Sequence, residues 1–181
     1  MDYFILREIN KFAGKNLFLD ISGLIVADYL IFFLPVVIFA VYFLFKKRKN
    51  VFPLFVKIIL TLILAFLLNY FLSQLVARPR PFFRYQDIYQ LSKFFTSQTD
   101  YAFPSYHVMI AFVLSFVILF DWRKFGVVLI IFSFLIGLGR VFCGIHYLSD
   151  VFGGIIVALV SFLIVNFFIN KNKKWKLLNN F

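Results

Sequence analysis

Residues 51–76 read VFPLFVKIILTLILAFLLNYFLSQLV, and Lys57 is the single charged side chain among them. As a helix rising about 1.5 Å per residue, this run exceeds the hydrocarbon core of a bilayer, which is about 30 Å thick. Lys57 lies close enough to one end of the run for its ammonium group to reach the interface. The stretch therefore predicts a membrane-spanning helix.

The rest of the chain repeats this pattern. Of 181 residues 63% are hydrophobic and 15% are charged, which excludes an ordinary soluble domain. We predict an all-α, polytopic membrane bundle of about five spanning helices, forming a single domain over residues 1–181. The other spans are expected within residues 17–45, 104–120, 125–143 and 151–169.

Three features fall outside these spans or interrupt them. Residues 2–12 have a roughly helical apolar period and predict a short interfacial helix within an N-terminal segment, 1–16. Residues 77–103 form a long hydrophilic loop that has room for a short helix. Asp20 and Asp28 interrupt the first apolar run, and we expect both near the outer interface without a mechanistic role.

The basic residues predict the orientation of the bundle. The formal charge is +11, but lysines and arginines cluster at the ends of apolar runs, so the expected partner is the lipid bilayer and no nucleic acid. Lys46–Lys49, Arg123, Lys124 and the lysines of residues 171–176 mark one side as cytoplasmic. The protein is thus predicted in the cell membrane, with the 77–103 loop extracytoplasmic.

Three polar clusters meet at that predicted outer face. In Arg78-Pro79-Arg80-Pro81, alternate prolines end the helix and stiffen the chain. Residues 103–107, Phe-Pro-Ser-Tyr-His, place free amides and His107 at a helix N-terminus, which favours phosphate. Simple lipid anchoring by Arg78 and a structural histidine at 107 are the alternatives.

The third cluster is Gly139-Arg-Val-Phe-Cys-Gly-Ile-His-Tyr-Leu-Ser-Asp150. If a helix begins near residue 146, the i, i+4 spacing places His146 and Asp150 on one face, where the carboxylate can hold the imidazole. The alternative is a buried Arg140–Asp150 ion pair beside which His146 has no function. Because ionisable residues within membranes are usually functional, we favour the first interpretation.

Together the clusters suit phosphoryl transfer, which needs fixed donors for the phosphate oxygens, a nucleophile and an acid. They supply three arginines, two histidines and one carboxylate. A single carboxylate without a dense His/Asp/Glu cluster is a poor divalent-metal site. We therefore expect no metal and no cofactor.

These residues resemble the type 2 phosphatidic acid phosphatase (PAP2) superfamily, which shares its site with vanadium haloperoxidases. The family pattern is Lys, six residues, Arg-Pro; then Pro-Ser-Gly-His; then Ser-Arg, five residues, His, three residues, Asp. This chain has Arg80-Pro81, Pro104-Ser-Tyr-His107, and Gly139-Arg140 followed by His146 and Asp150 at the family spacings. The resemblance covers about residues 69–157 and implies the PAP2 helical core.

The resemblance also implies roles. His146 would attack phosphorus to form a phosphohistidine, Asp150 would orient it, and His107 would protonate the leaving group. The implied phosphate ligands are Arg80, Ser105 and Arg140.

Three positions depart from the family pattern: Ser73 replaces the lysine, Tyr106 the glycine and Gly139 the serine. Tyr106 can still present its backbone amide to phosphate. Arg78 is the candidate substitute for the missing lysine cation.

The substrate is predicted from a second resemblance. Residues 9–16 followed by Leu19-Asp20 are similar to bacterial undecaprenyl-diphosphate phosphatases of the BcrC type, which recycle the lipid carrier of cell-wall synthesis at the outer face. The same chemistry on phosphatidylglycerophosphate, phosphatidic acid or lipid A is the first alternative. A non-catalytic anionic-lipid-binding or transport protein is the second, and the sequence favours no oligomeric state.

Overall fold

The computed structural model describes residues 1–45, 51–93 and 101–171, and every regular element in these ranges is helical. The predicted all-α fold is confirmed. The elements are α1 Asp2–Asn10, α2 Leu17–Leu24, α3 Leu30–Phe45, α4 Val51–Val76, α5 Pro81–Arg84, α6 Tyr106–Asp121, α7 Arg123–Phe142 and α8 Leu148–Lys171, with a π-helical segment, Ile25–Tyr29, joining α2 to α3.

Four segments are long and apolar enough to cross a membrane: Leu17–Phe45, Val51–Arg84, Arg123–Phe142 and Leu148–Lys171. The remaining predicted span, residues 104–120, corresponds to α6, which has 16 residues, or about 24 Å of helix. It packs against α3, α4, α7 and α8, so its neighbours surround it. More than half of the α6 residues are therefore buried by protein.

Helix α6 supplies much of the core. Phe112 and Val113 are fully buried, and the hydroxyl oxygen of Ser115 lies 2.8 Å from that of Ser133 on α7. Small and hydroxylated residues at such contacts let helices approach closely within a membrane. The large phenylalanines of α3 and α4 remain exposed on the outside of the bundle, where lipid would cover them.

Polar pairs fix one end of the bundle. The Tyr42 hydroxyl donates to Asp121 at 2.6 Å, and Lys57 Nζ donates to Asn166 at 2.8 Å rather than extending to the interface. Arg123 begins α7 at this end. Lys46–Lys49 and residues 172–176, which carried much of the orientation argument, lie outside the described residues.

The opposite end is assembled around α1. Leu6 is fully buried and Asn10 is 2% exposed, so α1 is docked onto protein rather than only lying in the interface. The Asn10 side-chain amide donates to the carbonyls of Tyr89 and Phe142, and its oxygen accepts the Tyr89 N–H. One side chain thus joins α1, the loop after α5 and the end of α7.

The loop after α4 is held equally closely. Ala77 adopts a left-handed backbone conformation (φ 45°) that ends α4, and the predicted short helix of the loop is α5. The Ala102 N–H donates to the Arg78 carbonyl at 2.8 Å, and the Ser105 N–H donates to the Asp150 carbonyl at 3.1 Å. These bonds bring the three polar clusters to one end of the bundle.

Gly154 permits this approach, and its replacement tests the packing. A Cβ at Gly154 would lie 2.8 Å from the Ser105 carbonyl oxygen and 3.2 Å from the Met109 nitrogen, which are backbone atoms at the start of α6. We expect Gly154→Ala to lower the free energy of unfolding by about 1–3 kcal/mol through overpacking. Thermal unfolding in detergent measures this change.

Gly23→Ala is the matched control. Its added Cβ would meet the Phe142 ring at 2.5 Å, and a side-chain ring can rotate away, whereas backbone cannot. An equal or larger loss in Gly23→Ala would show that the contact between α6 and α8 is not the constraint we infer.

Candidate active site

A cavity of about 540 Å³ lies at the end of the bundle that carries the polar clusters. Five of the predicted site residues line it: Arg80, Tyr106, His107, Arg140 and His146. The remaining wall is largely apolar and aromatic and includes Ile31, Phe32, Phe66, Tyr70, Tyr101 and Ile110, together with Ser73 and Gln74. Residues far apart in sequence thus share one polar pocket beside an apolar cleft.

Gly144 turns the chain between Arg140 and His146. Its backbone φ is +74°, a value that residues other than glycine rarely adopt. A Cβ at this position would lie 2.4 Å from the Tyr89 carbonyl oxygen. The Ile145 N–H donates back to the Arg140 carbonyl at 3.3 Å. The turn therefore presents both functional side chains to the same cavity.

The contacts of His146 define its tautomer. Nδ1 lies 2.8 Å from the Ala102 carbonyl oxygen and 3.4 Å from Asp150 Oδ2, and both neighbours are acceptors. Nε2 lies 3.5 Å from Arg80 Nη1, which can only donate. Nδ1 therefore carries the proton, and Nε2 is the unprotonated nitrogen, whose lone pair lies beside Arg80 at the cavity. The Ala102 carbonyl is a partner that the sequence did not reveal.

The electrostatic surroundings keep this imidazole neutral. Burial, together with the guanidinium groups of Arg80 and Arg140, holds the pKa of His146 well below its ordinary value of 6.5. The neutral form therefore persists as the pH falls through 6.5. A neutral imidazole with an unprotonated Nε2 is the form that can act as a nucleophile.

Asp150 contacts His146 but not Arg140. Its Oδ2 accepts the Tyr147 N–H at 2.8 Å, and its Oδ1 accepts from Arg78 Nη1 at 2.9 Å. α8 begins at Leu148, so His146 precedes the helix although the i, i+4 contact forms. The alternative interpretation, a buried Arg140–Asp150 pair, is wrong.

Arg140 is paired instead with Asp28. Arg140 Nη1 lies 2.6 Å from Asp28 Oδ1, both side chains are almost fully buried, and the Ser92 hydroxyl donates to Asp28 Oδ2 at 2.6 Å. The π-helical segment Ile25–Tyr29 carries this carboxylate, and π-helical turns are frequent at functional sites. This pairing was not predicted from the sequence, although an aspartate within an apolar run, with a buried arginine elsewhere, was a usable signal for it.

Two predicted phosphate ligands lie apart from the cavity lining. Ser105 is fully buried; its hydroxyl has no hydrogen-bond partner among the described residues, and its N–H is used by the Asp150 carbonyl. Arg78 donates to Asp2 and Asp150. These contacts do not support Arg78 as the substitute for the family lysine.

Ser73, which stands at the position of the family lysine, does line the cavity and donates to the Tyr70 carbonyl at 2.8 Å. Tyr106, at the position of the family glycine, stacks on Phe66 with ring centroids 5.9 Å apart. Both substitutions therefore lie within the site. Where the family pattern has a lysine cation, this chain has the Ser73 hydroxyl. Where the family pattern has a glycine, this chain has the aromatic ring of Tyr106.

The membrane bundle and the paired histidines and arginines define a multi-pass membrane phosphatase. The sequence profile of the PAP2 superfamily matches residues 54–174, and the chain belongs to that superfamily.

Two curated relatives extend over most of the chain. The chain is 29% identical over 168 residues to the undecaprenyl-diphosphatase BcrC of Bacillus subtilis (strain 168), covering 92% of this chain and 84% of the relative. It is 26% identical to a protein named bacitracin transport permease protein BcrC of Bacillus licheniformis, covering 88% and 76%.

Two crystal structures share the fold. Aquifex aeolicus LpxE superposes with a TM-score of 0.70 at 28% identity, covering 91% of this chain and 94% of that one. The first transmembrane PAP2 type phosphatidylglycerolphosphate phosphatase from Bacillus subtilis gives a TM-score of 0.65 at 22% identity, covering 96% and 87%.

The tautomer of His146 can be measured directly, because the chain has only two histidines. In a His107→Asn variant labelled with ¹⁵N-histidine, we expect the remaining ring to be Nδ1-protonated and not to titrate between about pH 8 and pH 5.5. Long-range ¹H–¹⁵N spectra in detergent micelles report both properties. A midpoint at or above 6.5, or protonation at Nε2, would contradict the geometry described here.

The Arg140–Asp28 pair provides a stability prediction. We expect Asp28→Asn to lower the free energy of unfolding by about 3–5 kcal/mol, since it leaves a buried guanidinium without its counter-ion. Thermal unfolding in detergent measures the loss. Asp20→Asn is the control: Asp20 is only partly buried and accepts a single bond from the Gly14 N–H, so about 1 kcal/mol is expected. Equal losses in the two variants would refute the assigned importance of the pair.

Proposed function

We propose that this protein removes the terminal phosphate of an isoprenoid lipid diphosphate, with undecaprenyl diphosphate as the substrate. The observation that carries the proposal is the cavity in which His107, His146, Arg80 and Arg140 lie at the polar end of an apolar cleft. The 29% sequence identity to the undecaprenyl-diphosphatase BcrC, which extends over most of both chains, supports this choice of substrate.

The proposed reaction proceeds in two steps. His146 Nε2 attacks the terminal phosphorus while the bond to the bridging oxygen breaks, and His107 supplies a proton to the departing lipid phosphate. A water molecule then attacks the phosphohistidine, gives its proton to His107, and releases inorganic phosphate. Asp150 orients His146 in both steps. At the end of the cycle His107 has regained its proton and His146 is free of the phosphoryl group.

The phosphate oxygens need fixed positive donors as charge develops on them. Arg80 and Arg140 line the cavity and can supply guanidinium donors, and the first-turn amides of α6, including that of Tyr106, have no intrahelical acceptors. Ser105 lies directly before this turn, and we propose that its hydroxyl, which lacks a partner among the described residues, turns to phosphate on binding.

The lipid tail has a route out of the cavity. Phe32 on α3 and Phe66 and Tyr70 on α4 line the cavity and are also 51%, 41% and 61% exposed on the outside of the bundle. Nearer the other end, Phe39 on α3 contacts Phe55 on α4, with ring centroids 6.1 Å apart. A long apolar tail can therefore leave sideways between α3 and α4 into lipid.

We propose that the site faces the outside of the cell membrane. The cavity lies at the C-terminal end of α7, whereas Arg123 and Lys124 lie at its beginning. By the positive-inside rule, the end with Arg123 and Lys124 is cytoplasmic.

A lipid panel tests the function. Purified protein in detergent would be assayed for phosphate release from undecaprenyl diphosphate, phosphatidylglycerophosphate, phosphatidic acid and lipid A. We expect the highest kcat/KM for the polyprenyl diphosphate, and we expect His146→Asn to abolish its hydrolysis, by at least about 10³-fold. Higher efficiency on another lipid would identify that lipid class as the substrate instead.

Two controls separate the remaining alternatives. A binding or transport protein would show no His146-dependent turnover on any lipid of the panel. The described residues hold no group of three or more His, Cys, Asp or Glu side chains suited to a metal ion, and we expect activity to survive EDTA. Loss of activity in EDTA, restored by a divalent cation, would refute the metal-independent reaction.

A further inference from the structure

Arg78 lies between two carboxylates from distant parts of the chain. Its Nη1 donates to Asp150 Oδ1 at 2.9 Å, and its Nη2 donates to Asp2 Oδ2 at 2.7 Å. The guanidinium carbon lies 3.6 Å from the centroid of the Tyr147 ring. With the aromatic ring against its face and carboxylates at its edge, the guanidinium has little freedom to rotate.

The bond from Arg78 helps to set the orientation of Asp150. The Asp150 side chain is fully buried, and each of its oxygens has a separate donor: Arg78 for Oδ1 and the Tyr147 N–H for Oδ2. Rotating the carboxylate would break both bonds. Together they hold Oδ2 at 3.4 Å from His146 Nδ1.

Asp2 ties this arrangement to α1. Its Oδ1 accepts the Ser149 N–H at 3.1 Å, and its Oδ2 accepts from the Ser149 hydroxyl as well as from Arg78. Ser149 lies in the first turn of α8, where backbone amides have no intrahelical acceptor. Asp2 therefore caps α8 from another helix, next to Asp150.

Asp2 is ionised at neutral pH. Partial burial alone would raise its pKa, but hydrogen bonds from Ser149 and Arg78, with the charge of Arg78, outweigh burial and hold the pKa below 3.8. The negative charge of Asp2 on α1 therefore lies on one side of the Arg78 cation, and Asp150 lies on the other side.

We infer that Asp2 and Arg78 are positioning residues, which hold Asp150 in the orientation that directs the lone pair of His146 Nε2 into the cavity. The inference rests on the proposed function, in which His146 is the nucleophile. Neither residue lines the cavity among the described residues, so both would act on the rate of the chemical step and not on substrate binding.

The test measures kcat and KM on the lipid diphosphate, together with the inhibition constant of inorganic phosphate. We expect kcat to fall about 10-fold in Asp2→Asn and about 100-fold in Arg78→Gln, with KM and the phosphate constant within about twofold. Arg78→Lys keeps a cation beside Asp150 and should recover part of the loss. Unchanged phosphate binding also shows that each variant is folded.

Asp87→Asn is the matched control. Asp87 accepts a hydrogen bond from the Tyr3 hydroxyl and lies 3.3 Å from Arg7 Nε, so it docks the same helix α1 through an exposed contact that involves neither Arg78 nor Asp150. We expect wild-type kcat in this variant. If it matched Asp2→Asn, looser docking of α1 would explain both losses and the inference would be overturned.

Two further results would overturn it. Wild-type kcat in Asp2→Asn and Arg78→Gln would show that Asp150 needs neither residue. Phosphate inhibition weakened 10-fold or more in Arg78→Gln, at about constant kcat, would make Arg78 a phosphate ligand. Full turnover in His146→Asn is a different failure, since it would refute the proposed function and this inference with it.

Discussion

Every guanidinium or carboxylate within an apolar bundle must find an opposite charge close by, because lipid and hydrocarbon side chains cannot solvate it. Arg140 and Asp150 are both almost fully buried, yet they are not each other's partner. Arg140 takes Asp28 and Asp150 takes Arg78. These two ion pairs determine which elements must meet at the end of the bundle.

The partners come from segments that the bilayer alone would not bring together. Asp28 requires the π-helical segment between α2 and α3 to face α7, and Arg78 requires the loop after α4 to lie over the start of α8. The Asn10 side chain then fastens α1 to that loop and to the end of α7. These contacts fix the elements that surround the cavity, as a site needs when donors must be in position before the substrate arrives.

Apolar periodicity and motif spacing predicted the helices, the membrane class and the residues that share the cavity. The spans follow from the thickness of the bilayer, and the i, i+4 spacing was enough to place Asp150 beside His146. The contacts of Ala102, Asp28 and Arg78 could not be predicted in this way. Each depends on a backbone turn or a pairing between remote segments, and local sequence does not encode either.

The same limit hid the partner of Arg140. Asp150, ten positions along the chain, was the one carboxylate considered for it from the sequence, as an alternative that the structure does not support. Proximity was a poor guide because Gly144 reverses the chain between Arg140 and His146, leaving Asp150 on the side of Arg78. Asp28, 112 positions away in the sequence, contacts Arg140 directly.

The two ion-pair networks share no residue. Asp28, Arg140 and Ser92 join the first span to α7 and a loop, whereas Asp2, Arg78, Ser149 and Asp150 join α1 to α8. The first ends on a guanidinium that lines the cavity, and the second ends beside the imidazole. Groups without common partners perturb a protein nearly independently. In the function proposed above, the Asp28 network would support the phosphate ligand Arg140, and the Asp2–Arg78 network would support the nucleophile His146 through Asp150.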